Sequence, residues 1–414
     1  MWKLAAFFAL ALLAAGCPYP NHPDDLQVRD PVPSGGDGFS LALYQSVGVA
    51  MRPGHEVELV ENGRIFDVLE EEILRAESSI HIVSFIWRPS YPSTRLIRAI
   101  LKRTQEGVAC RVIYEPFGSP GFDDKIRRTL AEGGCDVRRF RNYSNGTPGR
   151  LFYRNHRKIL IVDGRRGVTG GFGIWWSWLG DGLAPDEWRE SNVRVQGPAV
   201  AEMQLAFAEN WQEAGGALLG PEAFPKLEQA GKARAAFVAS TSAAGETSAE
   251  RLTQVAIASA QHRLWIANSY FIPSKAIADA LVRRAQAGVD VRILAPGRNH
   301  DLHPIRSAQR STYEQLLRQG VRIWEYQPAM MHSKTMLIDD RLAVVGSINI
   351  DPMSMRKSEE GALVIEDPAV AAELERHWKV DLERSIEIRW DSWRRRGLLE
   401  RLMYELTWIF GAFA

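Results

Sequence analysis

Two histidine–lysine pairs are the side chains of this chain best suited to chemistry. His156-Arg157-Lys158 is followed by four apolar residues, Asp163, and then Gly170-Gly171. His332-Ser333-Lys334 is followed by four residues, Asp339, and then Gly346-Ser347-Ile348-Asn349. Every shared position is offset by 176 residues. One H-x-K-x4-D phrase is a weak signal. Two in register, with the same glycine spacing behind each, point to two homologous halves that each supply one histidine and one lysine. A neutral imidazole beside an ammonium suits a phosphate, because lysine neutralises phosphoryl oxygens while imidazole attacks phosphorus or protonates a leaving oxygen. A single histidine near a strand start is more often a packed core residue. Core packing, however, gives no reason to repeat both polar residues in register. Each histidine has a lysine two residues on, and no Cys/His/Asp cluster has ligand spacing, so neither a metal nor a cofactor is expected.

The elements that must position these residues are legible around them. Ile159–Val162 and Thr335–Ile338 are short apolar runs of β-formers that end at Asp163-Gly164 and Asp339-Asp340, so both read as buried strands closing in turns. Side chains alternate along a strand, which places His156 with Lys158, and His332 with Lys334, on one face. Asp163 and Asp339 fall on the other face and read as turn-fixing residues. Strand-like and helical segments alternate in each half: Ser79–Phe85, Leu96–Thr104, Cys110–Tyr114 and Lys125–Glu132, then Arg263–Tyr270, Ala276–Ala287, Val289–Leu294 and Ser311–Gln319. That alternation predicts an α/β sandwich in each half, with mixed, mostly parallel sheets. The halves, residues 51–228 and 229–414, should pack about a pseudo-two-fold that brings both motif strands to one interface. The Ala-, Ser-, Gly- and Thr-rich stretch from Glu228 to Glu250 marks the boundary, with Arg234–Ser240 as the second half's first strand.

These phrases resemble the phospholipase D superfamily, whose signature is H-x-K-x4-D-x6-G-[GS]-x-N in two copies. Several segments are similar to its bacterial cardiolipin synthase branch: Trp188-Arg189-Glu190, Ser269–Pro273, Gly288–Pro296, Ser307–Tyr313, Gly320–Pro328 and Asn349-Ile350-Asp351. The resemblance spans about residues 55 to 410. It implies two phospholipase D-like domains and phosphatidyl transfer through a phosphohistidine, with His156 as nucleophile and His332 as acid/base. The residues alone do not separate those two roles. It further implies phosphate binding by Lys158, Lys334, Asn349 and Ser347, orienting carboxylates at Glu190 and Glu360, and structural motif positions at Asp163, Asp339, Gly170 and Gly346. The expected substrate is phosphatidylglycerol or a related phospholipid, with a second lipid as acceptor. Water as acceptor would make the enzyme a phospholipase D-type hydrolase; an exported nuclease and a lipid-binding protein with a decayed site are the other readings. The chain departs from the pattern in places. Gly173 stands where the family has Asn, Gly171 faces Ser347 across the repeat, and Met353 and Ser358 stand where Arg and Asn are common. Ile86–Ser93 replaces a stretch that usually carries Asp and Gly.

Lys+Arg 51 against Asp+Glu 50 leaves a net charge of +1, which argues against a dedicated nucleic-acid partner. A membrane surface is the expected partner; composition leaves the oligomeric state open. Lys3 and the apolar run Leu4–Ala15 are too short to span a bilayer and read as a signal peptide over residues 1–17. The run ends in the lipobox-like Ala14-Ala15-Gly16-Cys17, so Cys17 is a candidate for acylation at a bacterial cell envelope. Residues 18–50 read as a tether. Cys110 and Cys135 each start a predicted strand, and an exported protein permits either a disulfide or two buried thiols between them. The Trp175-Trp176-Ser177-Trp178-Leu179 loop reads equally as a lipid-facing patch or as an internal cluster. The stretch from Trp393 to Phe410 has the spacing of an amphipathic C-terminal helix.

Overall fold

The computed structural model describes residues 27–28, 31–141, 153–241 and 247–397. The first half contains β1 (Arg52–Glu61), β2 (Ser79–Ser84), β3 (Ala109–Tyr114), β4 (Cys135–Arg139), β5 (Ile159–Val162), β6 (Arg166–Gly170), β7 (Trp188–Arg189) and β8 (Ser191–Gln196). The second contains β9 (Ala233–Ser240), β10 (Arg263–Ala267), β11 (Asp290–Pro296), β12 (Arg322–Tyr326), β13 (Met330–Met331), β14 (Thr335–Ile338), β15 (Leu342–Gly346), β16 (Glu360–Glu366) and β17 (Ser385–Ile388). Both motif strands, β5 and β14, occupy the apolar runs read from the sequence.

Fifteen of these strands form one continuous sheet. Outward from its centre, one side runs β1-β8-β6-β5-β2-β3-β4 and the other β9-β16-β15-β14-β10-β11-β12, with β17 added at the second edge. The same order read from the middle in both directions is the structural form of the sequence repeat. Its two arms meet at an irregular antiparallel pairing of β1 with β9, where Arg52 faces Ala235 and His55 faces Ala233.

The sheet is mixed, but it is not mostly parallel. Within this sheet, among the described residues, the parallel pairs are β2/β3, β3/β4, β10/β11 and β11/β12. Those are the strands joined by helical crossovers, Tyr91–Gln105 and Lys275–Gln286 among them. Each motif strand instead returns through a tight hairpin, and a tight turn admits only an antiparallel neighbour. The turns place Asp163 and Asp339 in the left-handed region, at φ 55° and 52°. Asp163 accepts hydrogen bonds from the backbone N–H groups of Glu77, Ser78 and Ser79, and Asp339 from those of Gln261, His262 and Arg263. Each aspartate thereby ties its motif strand to the start of the neighbouring strand.

Three large apolar cores hold this arrangement, with a small fourth cluster of Ile272, Ile305 and Ala308. The central one joins the inner faces of the two arms, with Ile159, Ile161 and Val193 from the first half and Leu337, Val345 and Leu363 from the second. Helices Val200–Glu213 and Pro368–Glu383 close it through Phe207, Trp211, Leu374 and Trp378. The outer cores lie under each half's crossover helices. Part of the expected tether is ordered: Gly36–Val47 is a helix whose Phe39 and Leu43 are fully buried in the second half's outer core. Burying two large apolar side chains overrides the Gly- and Pro-rich composition around them. Residues 1–26, with the signal-peptide reading and Cys17, lie outside the described residues, as does most of the expected C-terminal helix beyond 397. A short helix, Trp390–Trp393, ends where that stretch begins, with Trp393 buried against Tyr313. Among the described residues, no helix is long and apolar enough to cross a membrane.

Candidate active site

Both histidines sit in extended chain just ahead of their motif strands, where the two halves touch. The backbone crosses between halves at both places. His156 N–H donates to Glu359 O at 2.8 Å, and His332 N–H donates to Arg189 O at 2.8 Å. The short bridges Asn155/Glu359 and β13/β7 run alongside. This crossing sets the side-chain pairing. His156 Nδ1 lies 2.9 and 3.0 Å from the two carboxylate oxygens of Glu360, and His332 Nδ1 lies 2.5 Å from Glu190 Oε2. Each histidine is therefore oriented by a carboxylate from the opposite half. A partner on Nδ1 directs Nε2 away from the carboxylate and into the site.

The lysines complete one buried site. Lys158 Nζ donates to His156 O at 2.6 Å and faces the Phe85 ring at 5.0 Å. Lys334 Nζ donates to Ser269 Oγ at 2.5 Å and lies 3.0 Å from His332 Nδ1. Burial pushes both lysines down, Lys334 to about 8 and Lys158 well below its ordinary value, with the mutual charge of the two ammonium groups adding to it for Lys158. Burial and the nearby ammonium groups also lower both histidines; Lys158 acts on His332 and Lys334 on His156. The four side chains share one electrostatic environment.

The two orienting carboxylates are both fully buried, yet they differ. Burial alone would raise Glu360, but His156, Lys158 and Ser347 Oγ outweigh it and hold it below its ordinary value. Ser347 Oγ donates to Glu360 Oε2 at 2.5 Å and Ser354 Oγ to Oε1 at 2.6 Å. Glu190 is pushed up to about 7 by burial, which Lys334 and the Trp178 indole only partly offset. It receives one indole N–H, from Trp178 Nε1 at 3.0 Å, and the backbone N–H of Ser191 at 3.2 Å.

Trp178 and Ser354 are 176 residues apart, so the donor comes from the same repeat position in both halves. The glycine departures follow from that exchange. A Cβ on Gly173 would lie 2.7 Å from the Trp178 ring, which fills the room an asparagine would need. A Cβ on Gly171 would lie 2.4 Å from Glu190 Oε1, leaving no space there for a counterpart of Ser347. Gly170 and Gly346 likewise let the motif hairpins press on Asn192 and Gly361.

Most of the expected site residues meet here: His156, Lys158, Glu190, His332, Lys334, Ser347, Asn349 and Glu360. Ser347 differs in its contact, because its hydroxyl is spent on Glu360 and its backbone neighbour Gly361. Asn349 accepts from Ser269 Oγ at 2.9 Å and donates to Ser354 Oγ at 3.3 Å, beside Lys334. Ser354, Ser269, Phe85 and Trp178 join the site from outside the motif phrases; for Trp178 the repeat offset is the one sequence signal, since it falls opposite Ser354. The tryptophan loop is divided: Trp178 is buried against Trp188 and the edge of His332, while Trp176 is 43% exposed. Cys110 and Cys135 are directly paired on β3 and β4 and form a disulfide, with Cα atoms 4.6 Å apart. Among the described residues, no group of three or more His, Cys, Asp or Glu side chains is placed to hold a metal ion.

A repeated α/β fold with two His–Lys–Glu sets in one interface defines the phospholipase D-like class. The model of the family described as "Cardiolipin synthase, PLD-like domain" matches residues 69–211 and 254–382, one stretch in each half. Cardiolipin synthase 1 of Bacillus anthracis is 30% identical over 357 residues, covering 84% of this chain and 70% of that protein. Cardiolipin synthase A of Pseudomonas fluorescens is 33% identical over 351 residues, covering 84% and 73%. The crystal structure of phosphatidylserine synthase from Haemophilus influenzae Rd KW20 matches with a TM-score of 0.69 at 12% identity, covering 91% of this chain and 99% of that one, and establishes the shared fold. The chain belongs to the cardiolipin synthase, PLD-like domain family and is an enzyme of the phospholipase D superfamily.

Proposed function

We propose that this enzyme is a cardiolipin synthase-like phosphatidyltransferase acting on phosphatidylglycerol or a related phospholipid. The observation that carries the reading is the pair of crossed His–Glu contacts enclosing two buried lysines. Lys158 and Lys334 neutralise the phosphodiester, with Asn349 beside them. His156 Nε2 attacks phosphorus while its Nδ1–H is held by the ionised Glu360. A P–N bond forms and the P–O bond to the leaving glycerol breaks, and that oxygen takes a proton from His332. His332 then removes the proton from an incoming hydroxyl, whose oxygen attacks phosphorus. The new P–O bond forms, the P–N bond breaks, and His156 is free again. Burial raises Glu190 beside His332 while Glu360 beside His156 is held low, and that inequality supports this division of roles. Fixed donors around the phosphoryl group stabilise the transition state without reorganisation.

Exclusion of water decides between transfer and hydrolysis. Phe85 edge-on to His156, and Trp178 and Trp188 against His332, wall both histidines with apolar rings and favour an alcohol acceptor. Purified protein with phosphatidylglycerol should yield cardiolipin and glycerol. Phosphatidic acid as the sole product would replace the transferase reading with a hydrolase.

We further propose that the enzyme works at a membrane surface of the bacterial cell envelope, exported and acylated at Cys17. The disulfide supports an oxidising compartment. Radiolabelled palmitate should enter the wild type and not Cys17→Ser.

A further inference from the structure

β2 and β10 run into matching Pro-Ser pairs, Pro89-Ser90 and Pro273-Ser274, whose serines cap the following helices. The residue before each proline makes the same backbone contact. Arg88 N–H donates to Ile174 O at 3.0 Å and Ile272 N–H to Ile350 O at 2.7 Å, and those two acceptors are themselves 176 residues apart. Arg88 thus stands where the second half has a buried isoleucine.

An isoleucine there needs no partner; a guanidinium needs an anion. Arg154, Arg157 and Arg189, the other arginines around the site, pair with Glu115, Glu359 and Asp381. No carboxylate pairs with Arg88 among the described residues. Its Nε–H donates to Gly118 O at 3.2 Å and its guanidinium lies over the Trp175 ring at 5.6 Å. The group is half-buried, and its terminal amino groups remain open to a ligand.

Its place is close to the reacting histidine. Arg88 follows Phe85 by three residues, about 10 Å of extended chain at most. The Phe85 ring is edge-on to His156 at 4.8 Å. Gly118, whose carbonyl anchors Arg88, packs on that same ring: a Cβ there would lie 3.1 Å from a Phe85 ring carbon. One aromatic ring separates the anchor of Arg88 from His156.

We propose that Arg88 is a second anion site at the rim of the active site and binds the phosphodiester of the acceptor lipid. The inference rests on the phosphatidyltransferase reading and deepens it. Transfer between two phospholipids brings two phosphodiester anions to one site. The lysine pair neutralises the one being cleaved, and the second requires its own cation. A planar guanidinium binds two phosphate oxygens at once, and the Trp175 face backs it. Water and small alcohols carry no phosphate, so the contact selects a lipid as acceptor.

The test is product partition in phosphatidylglycerol vesicles with ethanol as a competing acceptor. In Arg88→Gln and Arg88→Ile the ratio of cardiolipin to phosphatidylethanol should fall about tenfold or more, the loss expected for one charge-assisted contact. An unchanged ratio overturns the proposal, including one in which both products fall together. A binding arm reads the site without turnover: dihexanoyl-phosphatidylglycerol titrated into His156→Ala should fill two sites, and one in His156→Ala/Arg88→Gln. Equal stoichiometry overturns the assignment, as does filling of the Arg88 site by inorganic phosphate alone. A wild type that binds two lipids but makes no phosphatidyl product would refute the transferase reading while leaving the second anion site in place.

Discussion

The two sides of the active site descend from the same repeat and have been built from different chemistry. On the second-half side, Lys334 touches Ser269, Ser269 touches Asn349, and two serines hold Glu360. On the first-half side, Lys158 faces Phe85, Gly173 stands in place of the asparagine, and one tryptophan holds Glu190. The exchange is concerted, because Phe85 and Gly173 together replace a hydrogen-bonded Ser–Asn pair, while Trp178 with Gly171 replaces two hydroxyl donors. The lesson is electrostatic. His156 and Lys158, with the Ser347 hydroxyl added, keep the buried Glu360 charged, whereas at Glu190 burial outweighs Lys334 and the indole N–H. Two histidines in equivalent positions are thereby given unequal partners.

The comparison can be broken most sharply through the histidines themselves. His156→Ala and His332→Ala should each lower cardiolipin formation by at least about 10³-fold. Only His332→Ala should retain labelling of the protein by a phosphatidyl donor with a good leaving group. Labelling of His156→Ala instead would reverse the roles. Gly173→Asn should cost about tenfold or more in activity, because the new side chain collides with Trp178. Gly173→Asn/Trp178→Ser, which rebuilds the second-half arrangement, should recover part of the loss. No recovery would show that the Trp–Gly exchange is not a packing unit.

Stability should separate the carboxylates by pH. Glu190 is raised in the folded state, so it binds its proton more tightly there. Its favourable contribution is complete below the unfolded value and is lost as pH rises through about 7. Glu190→Gln should therefore raise Tm by about 2–4 °C at pH 8 relative to wild type, with less gain at pH 5. Glu360 is lowered, so its contribution is present above the unfolded value and is lost in acid. Glu360→Gln should lower Tm at pH 8. Thermal melts of both variants at the two pH values would check the opposite signs. The smallest effect is expected for Trp178→Phe, which keeps the ring and removes the N–H that favours charged Glu190. The kcat/KM pH profile should shift upward by less than about one unit. An unmoved profile would leave Trp178 a packing residue only.

Much of the site is legible in the order of the residues. The doubled phrase locates both histidines and both lysines, because a sequence offset is preserved wherever two halves keep one topology. The motif strands fall where they are expected, since four consecutive β-forming apolar residues ahead of an Asp-Gly or Asp-Asp turn leave little else to form. The expected parallel bias fails, because strand–helix alternation reports crossovers and says nothing of the hairpins that make up the middle of each arm. Residues 18–50 resemble a tether throughout, because composition does not register the few apolar side chains, Phe39 and Leu43, that dock Gly36–Val47. The cysteine spacing fits a disulfide and a pair of thiols equally, and only the direct pairing of β3 with β4 resolves it.

By itself, the sequence determined that a phrase is repeated, which histidine and lysine each copy contributes, and which positions break the repeat. Only the tertiary structure decided who partners whom. The crossing of Glu190 to His332 and Glu360 to His156 depends on backbone contacts between segments far apart in the chain. The unequal ionisation of those two glutamates depends on burial and on the histidine and lysine charges that the opposite half brings to them. Local spacing encodes neither, because both arise only when the two arms close on each other.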